Sequence, residues 1–381
     1  MIKQTQKIKF LKYIGIFLVI FTFISCNRKS INTSTDTLEQ YAQGFEIKVI
    51  TDYSKLTIKS PYPNSENDLN YFLVNNKTDL SQFKSSDILI QIPIQQIVVT
   101  STTHIPMLEL LDVQNTLVGF PNTKYVSSEK TRTLIENNKI QELGIDSSIN
   151  TEILIDLNPE LVMAFAMSAG NKSLSTIEKA GIPVLYNGDW LEETPLGRAE
   201  WIRVFGALYG LDDKADSIFK NIESQYNNAK EIASKSDNQP SVLSGVMFKD
   251  VWNLPAGESF VAKFLKDANT NYLWSDTKGT GSLQLNFENI LDKGEGAEIW
   301  IAPGHYVSKE QLLNASNLYN EFDAFNKNNI YTFAKKKGNT GGVIYYELAP
   351  TRPDLVLKDI IKIAHPELME DYEFTFFEKM E

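Results

Sequence analysis

The sequence predicts an α/β protein in which two doubly wound lobes are joined by one long helix, with an extra β-rich edge on the N-terminal side. The joining element is residues 212–235, where Ala215, Ile218, Phe219, Ile222, Tyr226, Ala229, Ile232 and Ala233 recur at three- and four-residue steps. That spacing is the stripe of an amphipathic helix with one buried face. Leu211-Asp212-Asp213 supplies its start, and Ser236-Asp237-Asn238-Gln239-Pro240 stops it. At 1.5 Å per residue it spans roughly 35 Å, about the width of a small domain. On each side of it, apolar strand runs alternate with helical stripes, the pattern of a parallel sheet. A cleft between two such lobes is the natural place for a ligand.

The chain opens with Lys3, Lys7, Lys9 and Lys12 and no acid, followed by an apolar run over residues 13–25. This reads as a secretory signal over residues 1–25, because the run falls short of the ~20 apolar residues that a membrane span needs. Phe23-Ile24-Ser25-Cys26 resembles a bacterial lipobox, with Phe23 where leucine is more usual, and the resemblance implies that Cys26 is lipidated. Cys26 is the single cysteine, so an intramolecular disulfide is excluded and the exported fold rests on its core. Removing residues 1–25 takes four of 37 basic residues and none of 48 acidic ones, leaving 33 against 48, a net charge of −15. Such acidity excludes nucleic acid as a partner. Residues 26–44 are polar and without period, and are expected to form a flexible tether.

The N-terminal lobe is expected over residues 45–194. Alternation at 45–49 and 56–60 predicts a hairpin, and 71–74 with 88–94 a further strand pair. Strands follow at 97–100, 116–120, 161–165 and 182–186, with helices at 128–137, 150–157 and 173–180 between them. Linker helices occupy residues 195–236, and the C-terminal lobe residues 237–381. There the pattern gives one buried strand at 241–248, further strands at 297–302 and 330–333, and helices at 259–267 and 286–291. Another helix starts at 309, one with Pro353 at its start closes at 364, and an edge strand is expected at 372–377.

Open parallel sheets bind ligands at the C-terminal ends of their strands. Loops there point to His104, Met167 with Ser168, Asn187 and Trp190, Trp252 and His305. Residues 339–346, with Gly338, Gly341 and Gly342 nearby, are expected to form a mobile ligand loop, and Arg352 just beyond it to meet an anionic ligand group or to cap a turn. The lobes echo each other at Asn150-Thr151-Glu152 and Asn286-Phe287-Glu288. Each reads as an Asn N-cap with a carboxylate in the first turn, where the helix dipole favours it. Equivalent exposed glutamates would present two separated anions that basic sockets on a symmetric partner could read.

No nucleophile elbow, P-loop, His-Glu-x-x-His run or paired cysteine motif is present, so the chain does not read as an enzyme and calls for no cofactor. A dedicated zinc or manganese site is disfavoured too, since the three His lie far apart in sequence. Over residues 97–368 the chain resembles the substrate-binding proteins of bacterial ABC importers that deliver iron complexes and cobalamin. The residues that carry the resemblance are Ile97-Val98-Val99-Thr100-Ser101 leading to Leu117-Val118-Gly119, and Asn150-x-Glu152 with Leu157-Asn158-Pro159-Glu160-Leu161-Val162. In the second half they are Pro255-Ala256-Gly257-Glu258-Ser259, Phe287-Glu288-x-Ile290-Leu291, and Arg352-Pro353-Asp354-Leu355 leading to His365-Pro366.

The resemblance implies a monomeric, extracytoplasmic lipoprotein held to the membrane by its lipid anchor and delivering an iron chelate or corrinoid to an ABC permease dimer with its ATPase. In that family the lobe glutamates dock on permease arginines, and Glu152 and Glu288 fall on those positions. Cleft aromatics are implied as well, for which this chain offers Phe120, Tyr125, Phe165, Trp252, Tyr345 and Tyr346. Three ligand classes follow in order: a ferric siderophore or related chelate, cobalamin, and haem. A haem- or metal-handling surface lipoprotein without a permease is the other reading.

Overall fold

The structure, a computed structural model, describes residues 40–145 and 148–381; the expected signal segment and Cys26 lie outside the described residues. No described helix is long and apolar enough to cross a membrane.

Strands β1 (Phe45–Ile50), β2 (Tyr53–Ile58), β3 (Leu69–Val74) and β4 (Ile88–Gln91) form a four-stranded sheet in that order. The first three are antiparallel and β4 runs parallel to β3. Period-two burial puts Leu56 and Ile58 of β2 into the core while their neighbours stay partly exposed.

The doubly wound part begins at β5 (Ile97–Val99), whose three residues are all buried, as a parallel strand covered on both faces requires. Helix α1 (Ile105–Leu110), β6 (Leu117–Phe120), α2 (Glu129–Glu136) and β7 (Gln141–Glu142) follow. A small hairpin, β8 (Gly144–Ile145) with β9 (Ser148–Ile149), leads to α3 (Thr151–Leu157), β10 (Leu161–Ala164), α4 (Lys172–Lys179) and β11 (Val184–Tyr186). The sheet runs β11-β10-β5-β6-β7, all parallel. The chain therefore winds outward from β5 in one direction, then crosses over to β10, and this reversal opens a crevice beyond the strand ends.

Three helices link the halves: α5 (Pro195–Glu200), α6 (Ile202–Tyr209) and α7 (Asp212–Ala233). Leu211 at the start of α7 makes no side-chain cap, so its first turn relies on Asp212 and Asp213 against the helix dipole. The buried stripe is Ala215, Phe219, Ile222, Tyr226, Ala229 and Ala233, close to the predicted set. Gly206 lets α6 lie on α7, because a Cβ there would stand 2.5 Å from that of Ala215.

The second half holds β12 (Ser241–Ser244), β13 (Val246–Phe248), β14 (Val251–Pro255), α8 (Phe260–Asp267), β15 (Asn271–Tyr272), β16 (Ser282–Leu285) and α9 (Phe287–Gly294). Then come β17 (Ile299–Ile301), α10 (Lys309–Ala315), α11 (Asp323–Asn326), β18 (Ile330–Thr332), α12 (Ile344–Leu348), α13 (Pro353–Ala364) and β19 (Glu378–Lys379). One sheet runs β15-β12-β17-β18-β19, parallel except for its last strand, and a second, β13-β14-β16, is antiparallel.

Two strand expectations are corrected. The single strand expected at 241–248 is broken at Gly245, whose φ of +78° turns the chain from one sheet into the other. A Cβ at Gly245 would meet the Asn253 carbonyl at 2.0 Å. The edge strand expected at 372–377 is displaced to β19, because the amides it would offer are already taken. The Asp359 carboxylate accepts the N–H groups of Thr375, Phe376 and Phe377 at 2.9, 2.6 and 2.9 Å.

Candidate functional site

Beyond the ends of β5, β6 and β10 lies a cavity of about 270 Å³. Its N-terminal wall is Thr100, Ser101 and Thr102 after β5, Phe120, Pro121, Asn122 and Tyr125 at and after β6, and Phe165 after β10. Gly342, Val343 and Tyr346 close it from the C-terminal half. Four aromatic residues line it together with the polar side chains of Thr100, Ser101, Thr102 and Asn122. Thr100 Oγ1 accepts the Phe165 N–H at 2.9 Å, which ties two strand ends together. Glu142 accepts the Asn122 and Thr123 amides at 3.0 and 2.9 Å, and Arg132 donates to the Thr123 carbonyl at 2.7 Å, so the turn carrying Tyr125 is held from below.

The loop expected to be mobile is instead a tight turn pressed on the opposite wall. Gly338 N–H donates to the Gly342 carbonyl at 2.8 Å, and the Gly341 N–H returns to Gly338 at 2.9 Å. Any Cβ on Gly342 would meet the Tyr125 carbonyl at 2.2 Å, and one on Gly338 would meet Ser127 Cα at 2.7 Å. Just beyond, the buried Glu347 carboxylate accepts the Ser127 and Ser128 amides at 2.7 and 2.9 Å. Burial pushes this carboxyl up to about 7, against the pull of the two amides, and Glu109 adds to the rise. Glu109 faces it from α1 while accepting the hydroxyls of Ser128 and Thr131.

A crevice at the strand ends of a parallel sheet, walled across by a second half and joined through a 22-residue helix, is the arrangement of a solute-binding protein. The sequence profile described as "Periplasmic binding protein" matches residues 97–337. The chain belongs to the periplasmic binding protein family. This is a family of solute-binding proteins, not enzymes. An uncharacterized lipoprotein of Methanocaldococcus jannaschii is 25% identical over 324 residues, covering 81% of this chain and 75% of the relative. A solved Staphylococcus epidermidis structure, described as a possible iron-binding periplasmic solute-binding protein, is 15% identical. It superposes with a TM-score of 0.57 over 72% of this chain and 99% of that one. A periplasmic haem-binding protein from Pseudomonas aeruginosa is 14% identical and gives 0.57 over 76% and 98%. Both structures carry the same fold.

The family's cleft gathers only part of the expected residue set. Tyr125 and Tyr346, 53% and 56% exposed, face the cavity with Phe120 and Phe165. Tyr345 lies behind, stacked on Phe333 at 4.2 Å, and its burial raises its pKa. Met167 is exposed on the loop after β10 but is not part of the cavity wall, and exposed His305 stacks on Tyr306 at 4.4 Å.

Three expectations are corrected. His104 points into the core beside Phe205, 0% exposed, with both ring nitrogens unpartnered among the described residues, and desolvation pushes its pKa down to about 3. Trp252 is also fully buried, packed among Trp300, Tyr319 and Phe322, with its Nε1 donating to the Ser244 carbonyl at 3.0 Å. Arg352 spends its guanidinium on Asp354, in two bonds of 2.9 and 2.7 Å.

Sequence alone does not single out Thr100 to Thr102, Asn122 or Glu347 as site residues. Position after a strand was a signal for the first three, since the rule that picked out His104 covers them equally. Asn150 and Asn286 do cap α3 and α9, accepting the Ile153 and Asn289 amides at 3.1 and 2.9 Å. Glu152 and Glu288 are exposed and make no hydrogen bond or ion pair among the described residues.

Proposed function

We propose that the protein captures an iron complex, a ferric siderophore or related chelate, in this cleft and delivers it to a membrane ABC permease. The observation that carries the reading is the cavity at the strand ends, lined by Phe120, Tyr125, Phe165 and Tyr346 with the hydroxyls of Thr100 to Thr102. Rings and hydroxyls suit the organic shell of a wrapped metal. A bare cation needs several carboxylate, imidazole or thiolate ligands together, and among the described residues no such group of three occurs. The iron-binding and haem-binding descriptions of the two structural neighbours agree with a metal complex as the cargo.

A binding panel tests the reading. Titrated with ferric hydroxamate, catecholate and citrate complexes, haem and cobalamin, the soluble domain is expected to show Trp quenching by an iron chelate, with Trp190 beside Phe165 as reporter (ring centroids 5.3 Å apart). Submicromolar affinity for free Zn²⁺ or Mn²⁺ with none for any chelate would overturn it. Preference for haem or cobalamin would move the cargo to that class.

Delivery at a membrane requires a held protein, and we place the anchor at Cys26. Mass spectrometry of the exported chain is expected to find diacylglycerol on an N-terminal Cys26. A mature N-terminus elsewhere would remove the anchor from the scheme.

A further inference from the structure

A second cavity, of about 250 Å³, lies on the other side of Tyr346 from the cleft pocket. Its walls are almost wholly apolar: Phe260 and Phe264 of α8, Tyr345 of α12, and Pro350 and Pro353. Into this wall is set one cation, Arg198 of α5. Its guanidinium carbon lies over the Phe260 ring, 3.7 Å from the centroid. Nη2 donates to the Trp190 carbonyl at 2.7 Å and Nε to the Glu192 carbonyl at 3.4 Å. Nη1 makes no hydrogen bond, and the guanidinium no ion pair, among the described residues.

A desolvated cation without a partner anion is costly, and burial lowers the pKa of Arg198 accordingly. Glu192 and Asp189 are the carboxylates whose fields reach it, the stronger from Asp189. That carboxyl is itself buried, turned to the Thr103 hydroxyl at 3.3 Å, and pushed up by burial to about 6. An incoming carboxylate would offset the desolvation by a charge-assisted bond to Nη1, while its hydrocarbon body displaced water from the aromatic walls. A cavity of about 250 Å³ has room for a short hydrocarbon body.

We propose that this cavity is a binding site for a small amphipathic carboxylate, its anionic end on Arg198 and its apolar body between Phe260, Phe264 and Tyr345. The site is separate from the cleft pocket and its occupant needs no metal.

Calorimetric titration of the metal-free soluble domain with octanoate and with octanol tests it. Octanoate is expected to saturate one site per chain and octanol to bind at least about tenfold more weakly, the discrimination of one charge-assisted bond. Ala349, 6% exposed on the cavity wall, offers a plug. Ala349→Phe is expected to abolish octanoate binding while the cleft ligand still binds. Arg198→Met is expected to take octanoate no better than octanol. Absence of octanoate binding, equal affinity for the two probes in the unaltered chain, or full binding by folded Ala349→Phe would overturn the proposal. If Arg198→Met fails to fold, the probe pair and the plug decide it.

Discussion

At the scale of single residues, His104 shows how a strand-end position can mislead. Sequence places it after β5, where a cleft ligand belongs, but a position says nothing about the direction of its side chain. Here the ring turns back under α6 and stays neutral. A folded-state pKa near 3, below the ordinary 6.5, means that the unfolded chain binds more protons between those values. Stability contributed by this site is therefore present above pH 6.5 and lost as pH falls, by up to about 1.4 kcal/mol per pH unit. His104→Leu also removes two unpaired ring nitrogens, so it is expected to be at least as stable at pH 7 and to lack that slope. Urea unfolding from pH 7 to pH 5 checks both statements. Parallel curves for the two proteins would count against a buried neutral ring.

Helix α12 is the informative element, because Glu347 on it reaches across to the amides at the start of α2. Its carboxyl is pushed above the ordinary 4.5, so the closed contact holds a proton that a solvated Glu347 would release. The contact is thus strongest at acid pH and weakens as pH rises from about 4.5 through 7. Amide exchange at Ser127 and Ser128, corrected for intrinsic base catalysis, is expected to speed up over that window. Glu347→Gln cannot ionise and is expected to show a pH-independent rate. An unchanged pH profile in the variant would mean that Glu109 or another group sets it.

Elements of this kind divide into the legible and the illegible for physical reasons. Fully apolar runs such as β5 and β10, and periodic stripes such as α7 and α13, were readable because burial selects residue type along their whole length. Gly245 sits inside an apolar run, and only the close approach of Asn253 reveals that the strand changes sheets there. Residues 372–377 alternate like a strand, yet a distant carboxylate claims their amides, which no local pattern encodes. In the cleft, Tyr125 and Tyr346 are named by the family resemblance, and Tyr346 also by its place in the glycine-flanked loop. Arg198 was not legible, since its cavity exists only once α5, α8 and α12 meet.

For the whole molecule, the two lobes present the same motif at their surfaces: an Asn-capped helix start with an exposed carboxylate. Capping fixes the backbone and leaves Glu152 and Glu288 available to a partner. The double change Glu152→Gln and Glu288→Gln is expected to keep the fold, at a cost of about 0.3–1 kcal/mol each from lost helix-dipole interaction. Affinity for the cleft ligand should be unchanged, while ligand-stimulated ATPase activity of a reconstituted cognate transporter collapses. Normal stimulation would reduce both residues to ordinary helix-start acids.

The residues just ahead of β1 carry a mechanical consequence. Residues 41–44 belong to the stretch expected to be a tether, yet they are bonded to the linker helices and the turn before them. The Tyr41 and Ala42 amides donate to Glu200 at 2.8 and 2.7 Å. Gln43 and Gly44 donate to Glu192, which also accepts the Trp201 Nε1 hydrogen at 2.9 Å. Glu200 is in turn paired with Arg203, which holds Asp216 of α7 at 2.7 Å. A tug on the N-terminal side is therefore delivered to the linker helices at the hinge line. Load arriving there enters α5 and α7, the helices that join the two halves, so a pull on this segment bears on their connection and not on one cleft wall alone.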